Sequence, residues 1–149
     1  VFDWDANGPP WVAIEYLAGG TLADRIDEMG VAHRLWTAYA LADAVAYASG
    51  EHGVTHHDLK PQNILFQNMP DGAWDVPKIC DWGLARKLIQ HDGSISQSTP
   101  KYAAPEQFDA ILPNTDVGVH TDVYQLGVVC YELLTGKHPA HLRGEVRPP

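Results

Sequence analysis

The sequence predicts an α+β fold, with a short antiparallel strand pair leading into a mainly helical body. Three observations predict it. Two extended runs, Val1-Phe2-Asp3-Trp4 and Trp11-Val12-Ala13-Ile14-Glu15-Tyr16, flank the turn cluster Ala6-Asn7-Gly8-Pro9-Pro10, so they should pair as antiparallel strands. Leu35, Ala38, Ala42 and Val45 recur at the three-to-four spacing of one helix face. The stretch from Asp122 to Thr135 is apolar on nearly every side and is stopped by Gly136 and Pro139, the pattern of a buried helix.

The remaining elements follow in chain order. Ala18-Gly19-Gly20 breaks the second strand. Thr21, with Asp24 three residues on, resembles a capping pair and opens a short helix that stops near Gly30. The helix carrying Leu35 should end before Gly50 or Gly53. Short extended runs come next at Val54-Thr55, Ile64-Leu65-Phe66 and Lys78-Ile79-Cys80, the last two separated by an insertion holding Pro70-Asp71-Gly72. Residues 84–114 are irregular, with Ser94, Ser96, Ser98 and Thr99 in their middle. No internal repeat or low-complexity tract interrupts the order.

Composition narrows the function. A chain of 149 residues is one domain's worth, or a piece of a larger one. Ten basic against 19 acidic residues leave a net charge of −9, which argues against a nucleic-acid partner, since no basic stripe exists to release counterions. No apolar run approaches 18 residues, so no membrane span is expected. The start lacks Met and a charged-then-apolar leader, and reads as a cut rather than a signal peptide. Two cysteines make no disulfide framework and fit a reducing, cytoplasmic setting. The Asp-rich, Lys-poor balance speaks only to solubility, in high salt or otherwise.

The decisive stretch is His56-His57-Asp58-Leu59-Lys60-Pro61-Gln62-Asn63. Asp-Leu-Lys-Pro-x-Asn fixes five positions, an arrangement expected by chance at about 3×10⁻⁷ per start site. Phosphoryl transfer needs this mix. A carboxylate must orient the attacking hydroxyl, a cation must balance charge on the moving phosphoryl, and a side-chain oxygen must hold Mg²⁺. Asp58, Lys60 and Asn63 can supply these from one loop. Asp81-Trp82-Gly83 follows directly after an apolar strand. Further on stand Thr99-Pro100-Lys101-Tyr102-Ala103-Ala104-Pro105-Glu106 and Thr121-Asp122-Val123-Tyr124-Gln125-Leu126-Gly127.

In these motifs and their order the chain resembles the eukaryotic-like serine/threonine protein kinases. The resemblance implies a protein-kinase-like fold: residues 1–17 as the last N-lobe strands and the hinge, and residues 18–149 as a mainly helical C-lobe truncated after the αF helix. It implies ATP and Mg²⁺ as cofactors and a protein bearing Ser or Thr as partner. Asp58 then matches the catalytic-loop aspartate, with Lys60 and Thr99 beside it in catalysis and in the serine/threonine pattern. Asn63 and Asp81 match the metal-binding pair, Asp81 leading the DFG motif. Ile14 looks like the gatekeeper, Glu15 and Leu17 like hinge residues whose backbone pairs with adenine, and Leu22 and Leu65 like positions covering the adenine from the lower lobe. Either of these two leucines also reads as plain core. Asp122 matches an aspartate that holds the catalytic-loop backbone, and as a residue it also reads as an ordinary helix cap.

Several features depart from the family pattern. His57 replaces the arginine before the catalytic aspartate, Trp82 replaces Phe, and Ser98 stands where Gly commonly precedes Thr99. The glycine-rich loop, the ATP-contacting lysine, its helix glutamate and the usual arginine partner of Glu106 have no counterpart among these residues, so this piece alone is expected to be inactive. The alternative to a protein kinase is a pseudokinase or nucleotide-binding scaffold. A small-molecule kinase is disfavoured by Ala104-Pro105-Glu106 and the Asp122–Gly127 run. Eight histidines invite a metal reading, but His138-x-x-His141 and His56-His57 lack the Cys or carboxylates of a zinc site. Cys80 reads as a buried thiol at a strand end or as a reactive one beside nucleotide.

An imidazole cannot form the bidentate pair that arginine forms with a phosphate. The segment from Asp81 to Glu106 is therefore expected to be ordered by packing rather than by phosphorylation. Replacing Ser94, Ser96 and Ser98 together with Ala in the full-length protein should leave its transfer rate within tenfold. A larger loss, above about 1.4 kcal/mol of transition-state stabilisation, means a phosphate switch.

Overall fold

The computed structural model describes residues 3–5, 11–70, 73–82, 101–107 and 117–140. Thr99 and Ser94, Ser96 and Ser98 lie outside the described residues. The first two strands pair as expected but are short: β1 (Asp3–Asp5) runs antiparallel to β2 (Trp11–Ala13), with Trp4 opposite Val12. Residues 14–17 continue without regular structure.

At the next turn the capping box forms as the sequence requires. The Thr21 hydroxyl accepts from the Asp24 backbone, and the Asp24 carboxylate accepts from the Thr21 hydroxyl at 2.6 Å and from the Thr21 N–H at 3.1 Å, which together, the hydroxyl first, hold the Asp24 pKa below the usual carboxylate value. Helix α1 is only Leu22–Arg25, ending earlier than the expected stop near Gly30.

Helix α2 (Val31–His52) ends at Gly53, whose φ of 61° is the left-handed cap that glycine adopts without strain. Its buried row is Thr37, Leu41 and Val45 rather than the row through Leu35 and Ala42. Leu35 is 55% exposed. At 3.6 residues per turn Leu35 lies about 200° around the helix from Thr37, so the two cannot share a face. The inward face is further marked by Arg34, which donates to the carbonyls of Ile26 (2.6 Å), Met29 (2.8 Å) and Leu133 (2.9 Å).

Val54 and Thr55 form no strand. A 3₁₀ turn over Pro61–Asn63 leads into β3 (Ile64–Gln67), which pairs antiparallel with β4 (Val76–Ile79). Phe66 turns its N–H and C=O to Gly20 and Gly19 at 3.0 Å each, away from β4. Pro77, directly opposite, therefore costs the hairpin no ladder bond. The Phe66 ring, fully buried, carries the Arg25 guanidinium 4.4 Å from its centroid, and Arg25 also pairs with Asp75 at 2.8 Å.

Helix α3 (Val119–Thr135) starts three residues before the expected Asp122 and ends at Gly136 with φ 70°. It is not apolar all round: Val123, Tyr124 and Leu134 are exposed, while Thr121, Asp122 and Gln125 are buried. Its inner face is polar in the first half and apolar in the second, where Val128, Val129 and Leu133 join Leu41, Ile64 and Phe66 in the core.

Among the described glycines, Gly19 has the least room for a side chain. A Cβ there would overlap the Phe66 carbonyl oxygen and lie 2.6 Å from Asn68 Oδ1. Gly19→Ala should lower stability by about 1–3 kcal/mol through the forced backbone shift. Urea unfolding checks this, and an unchanged midpoint contradicts the packing.

Candidate active site

The site is organised from α3. Asp122, 1% exposed, accepts the His56 N–H at Oδ2 (2.8 Å) and the His57 N–H at Oδ1 (2.7 Å). Hydrogen bonds to an ionised carboxylate contribute about 1.5–3 kcal/mol each. They hold His57 at φ 64°, a left-handed conformation that costs a non-glycine residue about 1–3 kcal/mol. Asp122 sits inside the first turn of α3, so it is a clamp on the loop and not a helix cap.

Beyond His57 the loop delivers three side chains to one point. Lys60 Nζ lies 2.7 Å from Asp58 Oδ2. Asn63, buried in the 3₁₀ turn, donates from Nδ2 to the Asp58 carbonyl (2.8 Å) and to Asp58 Oδ2 (3.1 Å). One carboxylate oxygen thus takes both partners, which fixes the Asp58 rotamer and leaves Oδ1 for a further donor.

His56 joins this loop to β4. Its Nδ1 accepts the Asp58 N–H at 3.2 Å, so the ring proton belongs on Nε2, which donates to the Cys80 carbonyl at 2.6 Å. Cys80 returns its N–H to the Asn63 carbonyl at 2.9 Å. Asp81 follows at φ 62°, with its side chain at the surface. Trp82 donates its indole N–H to the Ile79 carbonyl (2.9 Å) and meets the His56 ring edge-on at 5.1 Å.

The structure brings Asp58, Lys60 and Asn63 together and links Asp81 to them through the Asn63–Cys80 ladder. It distributes the other sequence-predicted residues more widely. Ile14 is 63% exposed, and Glu15 pairs with Lys78 Nζ at 2.8 and 2.9 Å, Lys78 lying opposite Leu65 in the hairpin. Leu17 is half-buried. Leu22 has no exposed surface and belongs to the core beside Phe66, whereas Leu65 lies on the other face of β3, half-buried and bridged to Thr21. Thr99 lies outside the described residues. Glu106 accepts the Thr121 hydroxyl at 2.6 Å, with His120 Nε2 at 3.5 Å.

Two residues that bond the loop backbone escaped the sequence reading, Gln125 and Gln107. Gln125 Oε1 accepts the Leu59 N–H at 2.8 Å, and Gln107 Nε2 donates to the His57 carbonyl at 2.8 Å. A signal existed for Gln125, which lies three residues after Asp122 and so on the same helix face. None existed for Gln107.

The donor chemistry of Asn63 and Asp81 fits Mg²⁺. With its amide N–H groups turned to Asp58, Asn63 has Oδ1 to offer, and Asp81 adds a hard carboxylate. Among the described residues no group of three His, Cys, Asp or Glu could hold a metal ion. Such a sparse oxygen set suits a cation that keeps its waters and binds one or two protein oxygens plus substrate phosphates.

A loop carrying Asp, Lys and Asn, held by the inner face of α3 against a two-stranded hairpin, gives this α+β structure a protein-kinase-like arrangement. The chain belongs to the protein kinase domain family, which matches residues 4–146. It is 35% identical to serine/threonine-protein kinase PknB of Mycolicibacterium smegmatis over 89% of this chain and 21% of that protein. Human calcium/calmodulin-dependent protein kinase type IV is 37% identical over 86% of this chain and 26% of that protein. Serine/threonine-protein kinase Pkn1 of Myxococcus xanthus is 32% identical over 100% of this chain and 23% of that protein. The chain thus spans about a fifth to a quarter of the length of these relatives. Among the described residues no helix is long and apolar enough to cross a membrane.

Burial, and then the Asp81 carboxylate, push the Cys80 thiol up to about 11. It is therefore a thiol, not a thiolate, near neutrality, which disfavours the reactive reading. In a Cys130→Ser background, alkylation by iodoacetamide should be slow at pH 7.5 and should keep accelerating to about pH 11. A rate that levels off below pH 9 contradicts this environment.

Proposed function

We propose that the protein transfers the γ-phosphate of ATP to Ser or Thr hydroxyls of protein substrates, in the cytoplasm. The observation that carries this reading is the convergence of Lys60 Nζ and Asn63 Nδ2 on Asp58 Oδ2. That arrangement aims one carboxylate while keeping a cation beside it, as an in-line phosphoryl transfer needs.

In this reading Asp58 accepts a hydrogen bond from the acceptor hydroxyl and orients its oxygen toward the γ-phosphorus. The new O–P bond forms as the bond to the β–γ bridging oxygen breaks, ADP departs, and the hydroxyl proton passes to Asp58. Lys60 balances negative charge on the transferred group. Asn63 and Asp81 would hold Mg²⁺, which when bound neutralises charge on the phosphate oxygens. Residues 1–17 act as the end of the upper lobe and the hinge, with Ile14 beside the adenine and the Glu15 and Leu17 backbone along its edge. Leu65 lies beneath the ring, and Leu22 supports it from the core of the lower lobe formed by residues 18–149. Thr99 belongs to the substrate-docking segment.

Asp58→Asn keeps the shape of the side chain but removes the charge that orients the hydroxyl. In the full-length protein it should lower kcat by about 10²–10⁴ while nucleotide binding persists. Phosphate transfer to a Ser/Thr peptide, measured alongside a nucleotide titration, checks both halves. Unchanged turnover would remove Asp58 from this role.

A further inference from the structure

Asp122 explains how the loop is held before Asp58, where its two hydrogen bonds end on the His56 and His57 N–H groups. The peptide groups on both sides of Asp58 meet instead in a pair of glutamine side chains. Gln125, 2% exposed, accepts the Leu59 N–H at Oε1 (2.8 Å). Its Nε2 donates to the His57 carbonyl (3.1 Å) and to Gln107 Oε1 (2.8 Å). Gln107 Oε1 also accepts the Ala104 N–H at 2.8 Å, while its Nε2 donates to the same His57 carbonyl at 2.8 Å.

The orientation of both amides is determined. Turning Gln125 over would set its NH₂ against the Leu59 N–H, and turning Gln107 over would set its NH₂ against the Ala104 N–H, donor facing donor in each case. Reading along the bonds, the segment at Ala104–Gln107 connects through two side-chain amides to the residue before Asp58 and to the residue after it. Side-chain networks of this kind can be worth more than the sum of their pairs, because loss of one member leaves the others with unmade bonds.

We propose that Gln107 and Gln125 are positioning residues that act as one amide relay, locking the Asp58 peptide to the Ala104–Gln107 segment. The inference rests on the reading of Asp58 as the group that orients the acceptor hydroxyl. That segment begins five residues after Thr99, which the same reading places in the substrate-docking segment. The relay therefore couples the placement of Asp58 to the segment beside the one that receives the protein substrate.

The test uses Gln107→Met, at a half-buried position, and Gln125→Met, singly and together in the full-length protein. Methionine keeps the volume and removes the amide. Each single variant should lower kcat about tenfold with KM for ATP unchanged, and the double variant should lose no more than the worse single one. Losses that multiply to about a hundredfold would mean two independent contacts and overturn the relay. So would wild-type kcat in Gln107→Met.

A second readout does not depend on activity. Amide hydrogen exchange at Leu59, which Gln107 does not touch, should accelerate at least tenfold in Gln107→Met. Unchanged exchange at Leu59 overturns the relay whatever the enzyme does. Faster exchange in a protein that transfers no phosphate would instead uphold the relay and refute the assigned reaction. Should Gln125→Met fail to fold, Gln107→Met alone decides by both readouts.

Discussion

The structure depends on one buried charge. Asp122 can lie 1% exposed only because both carboxylate oxygens receive backbone N–H groups from the loop. A carboxylate stripped of water and left with an unmade bond is costly, so helix α3 and the loop hold each other in place. The helix is itself anchored by Val128, Val129 and Leu133 in the core with Leu41 and Phe66. Apolar packing thereby reaches the Asp58 loop in three steps: it fixes α3, α3 fixes Asp122, and Asp122 fixes the turn before Asp58.

Asn63 extends this order to the hairpin. Its side chain aims Asp58, and its main-chain carbonyl accepts from Cys80, so one residue sets the distance between loop and strand end. His56 spans the same gap from the other side, with Nδ1 on the Asp58 N–H and Nε2 on the Cys80 carbonyl. Asp81 inherits its place from these two crossings. Both positive-φ non-glycine residues described, His57 and Asp81, flank them. Strain of this kind persists where surrounding bonds over-determine the backbone, and here they do.

Much of the site was legible in the sequence because its residue types are rare in combination: Asp58, Lys60 and Asn63 occupy the loop the motif implied. Most elements were legible in kind and less so in extent. Thr21–Asp24 capping, the Gly53 and Gly136 stops and the first strand pair formed, the pairing of β3 with β4 was not read, and Val54-Thr55 became no strand. The helix faces were misjudged where burial is polar. Periodicity reports apolar side chains, so it selected Leu35 over Thr37 and read α3 as apolar throughout, although Thr121, Asp122 and Gln125 fill its inner face. Gln107 was invisible for a related reason: its partners are two main-chain groups and the Gln125 side chain, and the His57 carbonyl lies 50 positions away in sequence. No local pattern announces a side chain whose function is to complete a distant backbone.

Trp82 shows how a departure in sequence acquires a physical meaning. A ring larger than Phe has to be accommodated, and the indole does so edge-on against His56 while its N–H satisfies the Ile79 carbonyl at the end of β4. A phenyl ring has no donor for that carbonyl. The indole thus adds a hydrogen bond across the turn that leads to Asp81, and it leans on the same imidazole that accepts the Asp58 N–H. That shared ring gives the backbone at Asp58 and the backbone before Asp81 one common support. Displacing His56 would free both the Asp58 N–H and the Cys80 carbonyl, so the two chain segments cannot shift independently at this point.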